Sequence, residues 1–181
     1  RSDLPIFSAW IFDLDGTLTV PAHDFAAKAR ELGLGSEKPI LEAAREAPPD
    51  QGNRLLKAIE EWEWSVAESA RISPGAQSLV KALHHSKVPM GILTRNTRPI
   101  ALRTLEVIGL HEFFEPNVIL GRDEAKPKPS PAGVLEILAT LKKNADEAIM
   151  VGDYLFDLQA GRAAGASTLW VRPRPGSSED F

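Results

Sequence analysis

Trp10-Ile11-Phe12-Asp13-Leu14-Asp15-Gly16-Thr17-Leu18-Thr19 is the stretch on which the reading of the fold turns. An apolar run leads straight into two carboxylates and then a glycine. A short run of this kind, apolar nearly throughout, reads as a strand covered on both faces. Alternation along it puts Asp13 and Asp15 on one side, and Gly16 lets the chain turn sharply. Two adjacent carboxylates repel, so a site that keeps both ionised wants a divalent cation. The plainer alternative is a turn whose acids cap the helix that follows.

Working outward, five β-like runs are expected: Ser8–Asp13, Val88–Thr94, Asn117–Leu120, Ala148–Asp153 and Ser167–Val171. Helical segments separate the last four, which predicts repeated βαβ units and a parallel sheet. Ser73 with Pro74, and Ser130 with Pro131, have the pattern of a helix cap followed by a first-turn proline. The helix after Thr97 should bury Ile100, Thr104, Leu105 and Ile108 and stop at Gly109; the one after Asp153 should stop near Gly165. Residues 20–72 are too much chain for a simple crossover. They read as a small helical insertion broken at Gly33-Leu34-Gly35 and again at Pro48-Pro49-Asp50-Gln51-Gly52, with an apolar stripe Leu55, Ile59, Trp62, Val66, Ala70. Placed after the first strand, the insertion overhangs the C-terminal strand edge, where open α/β sheets bind ligands. The expected division is a core of residues 1–19 and 73–172, a cap of 20–72, and a flexible tail of 173–181.

Three further places set polar groups at or beyond strand ends. Thr94 closes Met90-Gly91-Ile92-Leu93, and the backbone N–H groups of Asn96 and Thr97 lie at a helix start, a setting that favours anions; Thr94 and Thr97 can equally be plain caps. Lys126-Pro127-Lys128-Pro129-Ser130-Pro131 reads as a stiff, nearly extended loop able to hold an ammonium against phosphate charge, or as an ordinary exposed connection. In Gly152-Asp153-Tyr154-Leu155-Phe156-Asp157, Asp153 is placed as a cation ligand and Asp157 as a group behind it that orients it. The alternative makes Asp153 an N-cap and Asp157 a first-turn acid.

In this order and spacing, the four segments resemble the haloacid dehalogenase superfamily, in particular the phosphoglycolate-phosphatase-like branch with a helical cap after the first motif. The resemblance runs from Phe7 to about Arg172, apart from the insertion. It implies a Rossmannoid three-layer α/β sandwich with a parallel sheet of order 5-4-1-2-3 and a small α-helical cap. It also implies a phosphatase that hydrolyses a phosphomonoester of a small metabolite through an aspartyl-phosphate, with Mg2+ as cofactor. Asp13 would be the nucleophile, and Asp15 the acid and then the base. Thr94 would bind phosphate, with Arg95 and Asn96 beside it. Lys126 would balance charge, with Lys128 its rival. Asp13, Asp153 and the Asp15 backbone carbonyl would hold the metal, with Asp157 behind them. A sugar phosphomutase of the same superfamily and a non-catalytic phosphate-binding or regulatory protein on the same fold are the alternatives.

Bulk properties agree with a packed globule acting on a small molecule. Of 181 residues, 43% are hydrophobic and 25% charged, and the formal net charge is −4, which gives no electrostatic footprint for nucleic acid or an anionic membrane. There is no cysteine, which removes thiolate chemistry and disulfides and fits a reducing compartment. No run approaches a membrane span, no signal peptide is expected at Arg1–Pro5, and a cytoplasmic monomer is the expectation. His23, just past the catalytic loop, is placed either to reach substrate or to pack at the hinge. Trp64, off the apolar stripe of its helix, is placed either to contact the core as part of a lid or to lie on another cap helix. The insertion is short, so the pocket is expected to be less enclosed and its specificity broad, or its substrate larger.

Overall fold

The computed structural model describes residues 7–35 and 37–172; the expected tail of 173–181 lies outside them. Five parallel strands form one sheet: β1 (Ala9–Phe12), β2 (Met90–Leu93), β3 (Ile119–Leu120), β4 (Ala148–Gly152) and β5 (Ser167–Trp170). Their order is β3-β2-β1-β4-β5, the order the resemblance implies. β1 lies at the centre, with Phe12 in register with Ile92 on one side and Val151 on the other. Strand alternation divides the core into two layers. Phe12, Ile92 and Val151 pack on one face with Val80, Ala101 and Leu105 of helices α4 (Ala76–His85) and α5 (Arg98–Val107). Ile11, Leu93 and Met150 pack on the other with Val134, Ile137 and Ala160 of α6 (Ala132–Leu141) and α7 (Leu155–Ala163).

The ladder continues one residue beyond two of these strands. The Asp13 N–H donates to the Val151 carbonyl at 2.8 Å and the Thr94 N–H to the Leu120 carbonyl at 3.0 Å. Both functional candidates therefore stand on backbone that the sheet holds. None of the helices among the described residues is long and apolar enough to cross a membrane.

Between β1 and β2 the chain forms α1 (Phe25–Glu31), α2 (Ile40–Glu46) and α3 (Pro49–Glu68) around a small core of their own, which includes Ala29, Ile40, Leu41, Ala44, Leu55 and Ile59. The outgoing and returning strands of chain meet at an antiparallel bridge between Thr19 and Ile72. The Val20 N–H donates to the Arg71 carbonyl at 2.9 Å and the Ser73 N–H to the Leu18 carbonyl at 2.9 Å.

Several local expectations are corrected. The expected break at Pro48–Gly52 is present but narrower: α2 ends at Glu46, Ala47 and Pro48 separate the two helices, and Pro49 is already the first residue of α3, where its missing N–H costs nothing. The helix after Ser73-Pro74 starts later, at Ala76, because Ser73 is used in the bridge region and the turn passes through Gly75 at φ 81°. The third strand is shorter than expected, since residues Pro116–Val118 form a 3-10 turn. The buried face of α3 carries Gly52, Leu55, Ile59, Glu63 and Ala67, with Trp62 and Val66 only half-buried. The carboxylate on that face is matched: one Arg122 nitrogen donates to both Glu63 oxygens, at 2.8 and 2.9 Å, and to the Arg95 carbonyl at 3.2 Å.

Burial pushes the Glu63 carboxyl up to about 7 against the pull of Arg122. A carboxyl raised above its ordinary 4.5 takes up a proton on folding between those two values. Its contribution to stability is therefore complete below about pH 4.5 and is lost as pH rises through about pH 7. Glu63→Gln is expected to flatten that decline in urea-unfolding free energies measured between about pH 5 and pH 8. An unchanged slope would assign the pH dependence to other groups.

Candidate active site

The C-terminal ends of β1 and β4 bring their acids together. Asp13 follows β1 and is 7% exposed; Asp153 follows β4, and Asp157 lies in the first turn of α7. One oxygen each of Asp13, Asp153 and Asp157 falls within a set whose members all lie within 4.8 Å of one another. Two glycines permit this approach. A Cβ on Gly16, which has φ 84°, would collide with the Asp153 carboxylate, and a Cβ on Gly152 with Asp157. The Thr17 hydroxyl donates to Asp153 Oδ1 at 3.2 Å and approaches Asp13 Oδ2 at 3.4 Å, lacing the two strand tips.

Charge balance comes from Lys128. Its ammonium lies 2.6 Å from Asp13 Oδ1 and 2.7 Å from Asp157 Oδ1, and donates to the Leu93 carbonyl at 2.8 Å. Burial pulls the Lys128 pKa down, but Asp13 and Asp157 together hold it above the ordinary lysine value. Lys126, the expected charge-balancing residue, is exposed. The segment is not extended as expected: it turns, with the Ser130 N–H donating to the Pro127 carbonyl at 3.1 Å, and it sends Lys128 inward. Both lysines sit in the same proline-rich pattern; nothing local to the sequence separates them.

Asp157 does not cap by its position alone. Its Oδ2 accepts the Tyr154 N–H at 3.0 Å in a reciprocal capping arrangement, so Tyr154, not Asp153, is the cap. With one oxygen on Tyr154 and the other on Lys128, Asp157 is placed to orient its neighbours, and the Asp153 carboxylate, bonded by Thr17, is not used as the helix cap.

Asp15 faces a different set of partners. Its Oδ2 accepts from the Asn96 side-chain amide at 2.6 Å, and its Oδ1 lies 3.7 Å from His23 Nδ1. Thr94 is buried, and its hydroxyl oxygen accepts the Asn96 N–H at 3.1 Å. Thr97 occupies the cap position of α5 without a side-chain cap bond, and its hydroxyl has no protein partner. His23 packs, the second of its two expected roles: it stacks on Phe25 at 5.1 Å and meets the Trp62 ring edge-on at 5.2 Å, with its Nδ1 3.7 Å from Asp15 Oδ1. Trp62, on the expected stripe, is the tryptophan that backs the site; Trp64 is half-buried elsewhere on α3. The Arg122–Glu63 contact beside this loop has no motif and was not legible beforehand.

Electrostatics make the acids unusual. Burial raises the Asp13 pKa from its ordinary value, opposed by Lys128 and reinforced by Asp157. Burial raises Asp15, opposed by His23, Lys128 and Asn96. Burial and then repulsion from Asp157 raise Asp153, with Thr17 opposing. One ammonium does not satisfy these carboxylates. Converging oxygen ligands of negative charge suit a small hard cation, so the residues present fit the magnesium ion that the fold family implies. The acids line one cavity of about 720 Å³, together with Thr94, Arg95, Asn96 and Lys128 and a wall from the helical insertion.

Lys128→Met is expected to lower turnover of a phosphate ester by about 10²-fold or more and to destabilise the fold by about 3–5 kcal/mol, because two buried carboxylates lose their partner. Lys126→Met is expected to leave both near the parent value. Comparable losses from the two substitutions, in steady-state assays and urea unfolding, would contradict the placement.

A family model described as haloacid dehalogenase-like hydrolase matches residues 27–171. A haloacid dehalogenase-like hydrolase domain-containing protein of Arabidopsis thaliana is 34% identical over 172 residues, covering 87% of this chain and 68% of the relative. The pyrophosphatase PpaX of Listeria innocua is 29% identical over 179 residues, covering 89% and 81%. Among solved structures, a hydrolase from Pseudomonas syringae superposes with a TM-score of 0.76 at 22% identity, covering 90% of this chain and 83% of the other, which speaks for the fold. With the parallel sheet, its strand order and the acids at its C-terminal edge, the match over most of its length makes this chain a member of the haloacid dehalogenase-like hydrolases.

Proposed function

We propose that the protein is a magnesium-dependent phosphatase that hydrolyses small phosphomonoesters through a phosphate carried on Asp13. The observation that carries this reading is the Lys128 ammonium shared between Asp13 and Asp157, 2.6 and 2.7 Å away, at the tip of the central strand. A carboxylate held on one side by an ammonium is positioned to act as a nucleophile, and it needs that help against the charge of a phosphate dianion.

In the first step an Asp13 oxygen attacks phosphorus, the bond to the ester oxygen breaks, and Asp15 gives its proton to the departing alkoxide. Burial favours the protonated form of Asp15, and Asn96 and His23 hold its carboxyl in place. In the second step Asp15, now a carboxylate, takes a proton from water as that water attacks the phosphoryl group. The bond to Asp13 breaks, and inorganic phosphate leaves. Lys128 and the N–H groups at the start of α5 neutralise charge on the phosphoryl oxygens, with the Thr94 hydroxyl beside them. Asp13, Asp153 and the Asp15 backbone carbonyl would hold Mg2+, with Asp157 orienting from behind. Bound there, the ion would lower the repulsion between nucleophile and phosphate and stabilise charge on the transferring group. The relative named a pyrophosphatase supports phosphate-releasing chemistry.

Release of inorganic phosphate from p-nitrophenyl phosphate and from a panel of phosphorylated metabolites is expected with Mg2+ and to be abolished by chelator. Asp13→Asn is expected to abolish turnover with unfolding behaviour preserved, and Asp15→Asn to lower kcat by about 10²–10⁴-fold. Steady-state activity retained by a pure Asp13→Asn sample would overturn the assigned nucleophile.

A further inference from the structure

The part of the cavity beyond the acids says what kind of ester it accepts. Its wall is built from Phe25, Ala26, Pro39, Ile40 and Leu41 of the insertion and from Phe156 of α7. Every described lysine and arginine that lines it already has a carboxylate partner. Lys128 has Asp13 and Asp157, and Lys38 has Glu46 at 2.6 Å. Arg95, which follows Thr94 and sits 5.4 Å over the Phe156 ring, is paired with Glu42 of α2. Glu37 adds a further negative group to the lining. A substrate whose leaving group carries its own carboxylate or phosphate finds no unpaired lysine or arginine among the described lining residues, and it meets apolar surface where its charge must lose water.

Resting on the phosphatase reading, we infer that Glu42 sets specificity by occupying Arg95, so that the pocket selects phosphomonoesters whose leaving group is uncharged and apolar. Glu42 does not touch the reacting atoms; it is a positioning residue, acting through Arg95. The half-buried pair closes the route by which the strand-end arginine would otherwise grip a second anion. The apolar wall then takes the organic part of the ester by burial.

Benzyl phosphate and phosphoglycolate separate the alternatives, since both release a primary alcohol and only one carries a second anion. With Mg2+ present, kcat/KM for benzyl phosphate is expected to exceed that for phosphoglycolate by about tenfold or more. Glu42→Gln is expected to shift the ratio toward phosphoglycolate by about tenfold, through KM more than kcat. Adding Arg95→Met to that variant should cancel the shift. Preference for phosphoglycolate in the parent protein, or an unchanged ratio in Glu42→Gln, overturns the inference and leaves the phosphatase reading standing. Hydrolysis of p-nitrophenyl phosphate without hydrolysis of benzyl phosphate overturns it too. Absence of Mg2+-dependent hydrolysis of all three esters overturns the phosphatase reading itself.

Discussion

One buried ammonium shared by two carboxylates is the constraint from which the rest of the site follows. Lys128 cannot lie among apolar side chains unless charges of opposite sign meet it, and Asp13 and Asp157 meet it from two different parts of the chain. Asp13 is there because β1 is the central strand, and Asp157 because β4 is its hydrogen-bonded neighbour and runs in the same direction. A parallel sheet delivers both strand ends to one edge; an antiparallel neighbour would have sent Asp153 and Asp157 to the opposite side of the molecule. The glycines at positions 16 and 152 let the acidic side chains close the remaining space. The outcome is a set of acids with more negative charge than one lysine offsets, which is the electrostatic condition for holding a divalent ion and a phosphate together.

The helical insertion is tied to this edge by charge as well as by chain. The loop after β2 carries Thr94, Arg95 and Asn96. The insertion reaches that loop twice, through Glu42 on Arg95 and through Glu63 on Arg122, whose guanidinium also holds the Arg95 carbonyl. Arg122 donates its own N–H to the Asn96 carbonyl at 2.9 Å. Asn96 in turn holds Asp15. Position of the insertion and orientation of the Asp15 carboxyl are thus linked through Arg95 and Asn96. The bridge at Thr19 and Ile72 pins the base of the insertion, while side-chain ion pairs hold it farther out.

The sheet was legible because buried parallel strands are short apolar runs that end in functional residues, and Trp10 to Asp15 is such a run. Strand order came from the resemblance carried by four motifs, since pairing across a sheet is non-local and no single run encodes it. Asp13, Asp15 and Asp153 stand at strand ends, and their type and position were both visible in the sequence. Lys126 and Lys128 were not separable, because each is a lysine followed by proline, and a turn at Pro127–Ser130 decides which one faces inward. Glu63 was invisible for another reason: a buried carboxylate breaks the apolar stripe of α3, and its partner Arg122 is distant in sequence. The pairing of Glu42 with Arg95 escaped in the same way. Periodicity reads one element at a time; ion pairs between elements need coordinates.

The proposed acceptor of the phosphoryl group is Asp13, one of the two carboxylates that touch Lys128. Rapid-quench mass spectrometry of the protein mixed with a phosphate ester and Mg2+, followed by peptide mapping, tests it directly. One phosphoryl group is predicted on the peptide containing Asp13, appearing and decaying in step with turnover. Turnover without any covalent phosphate, or with phosphate on another residue, would contradict the account.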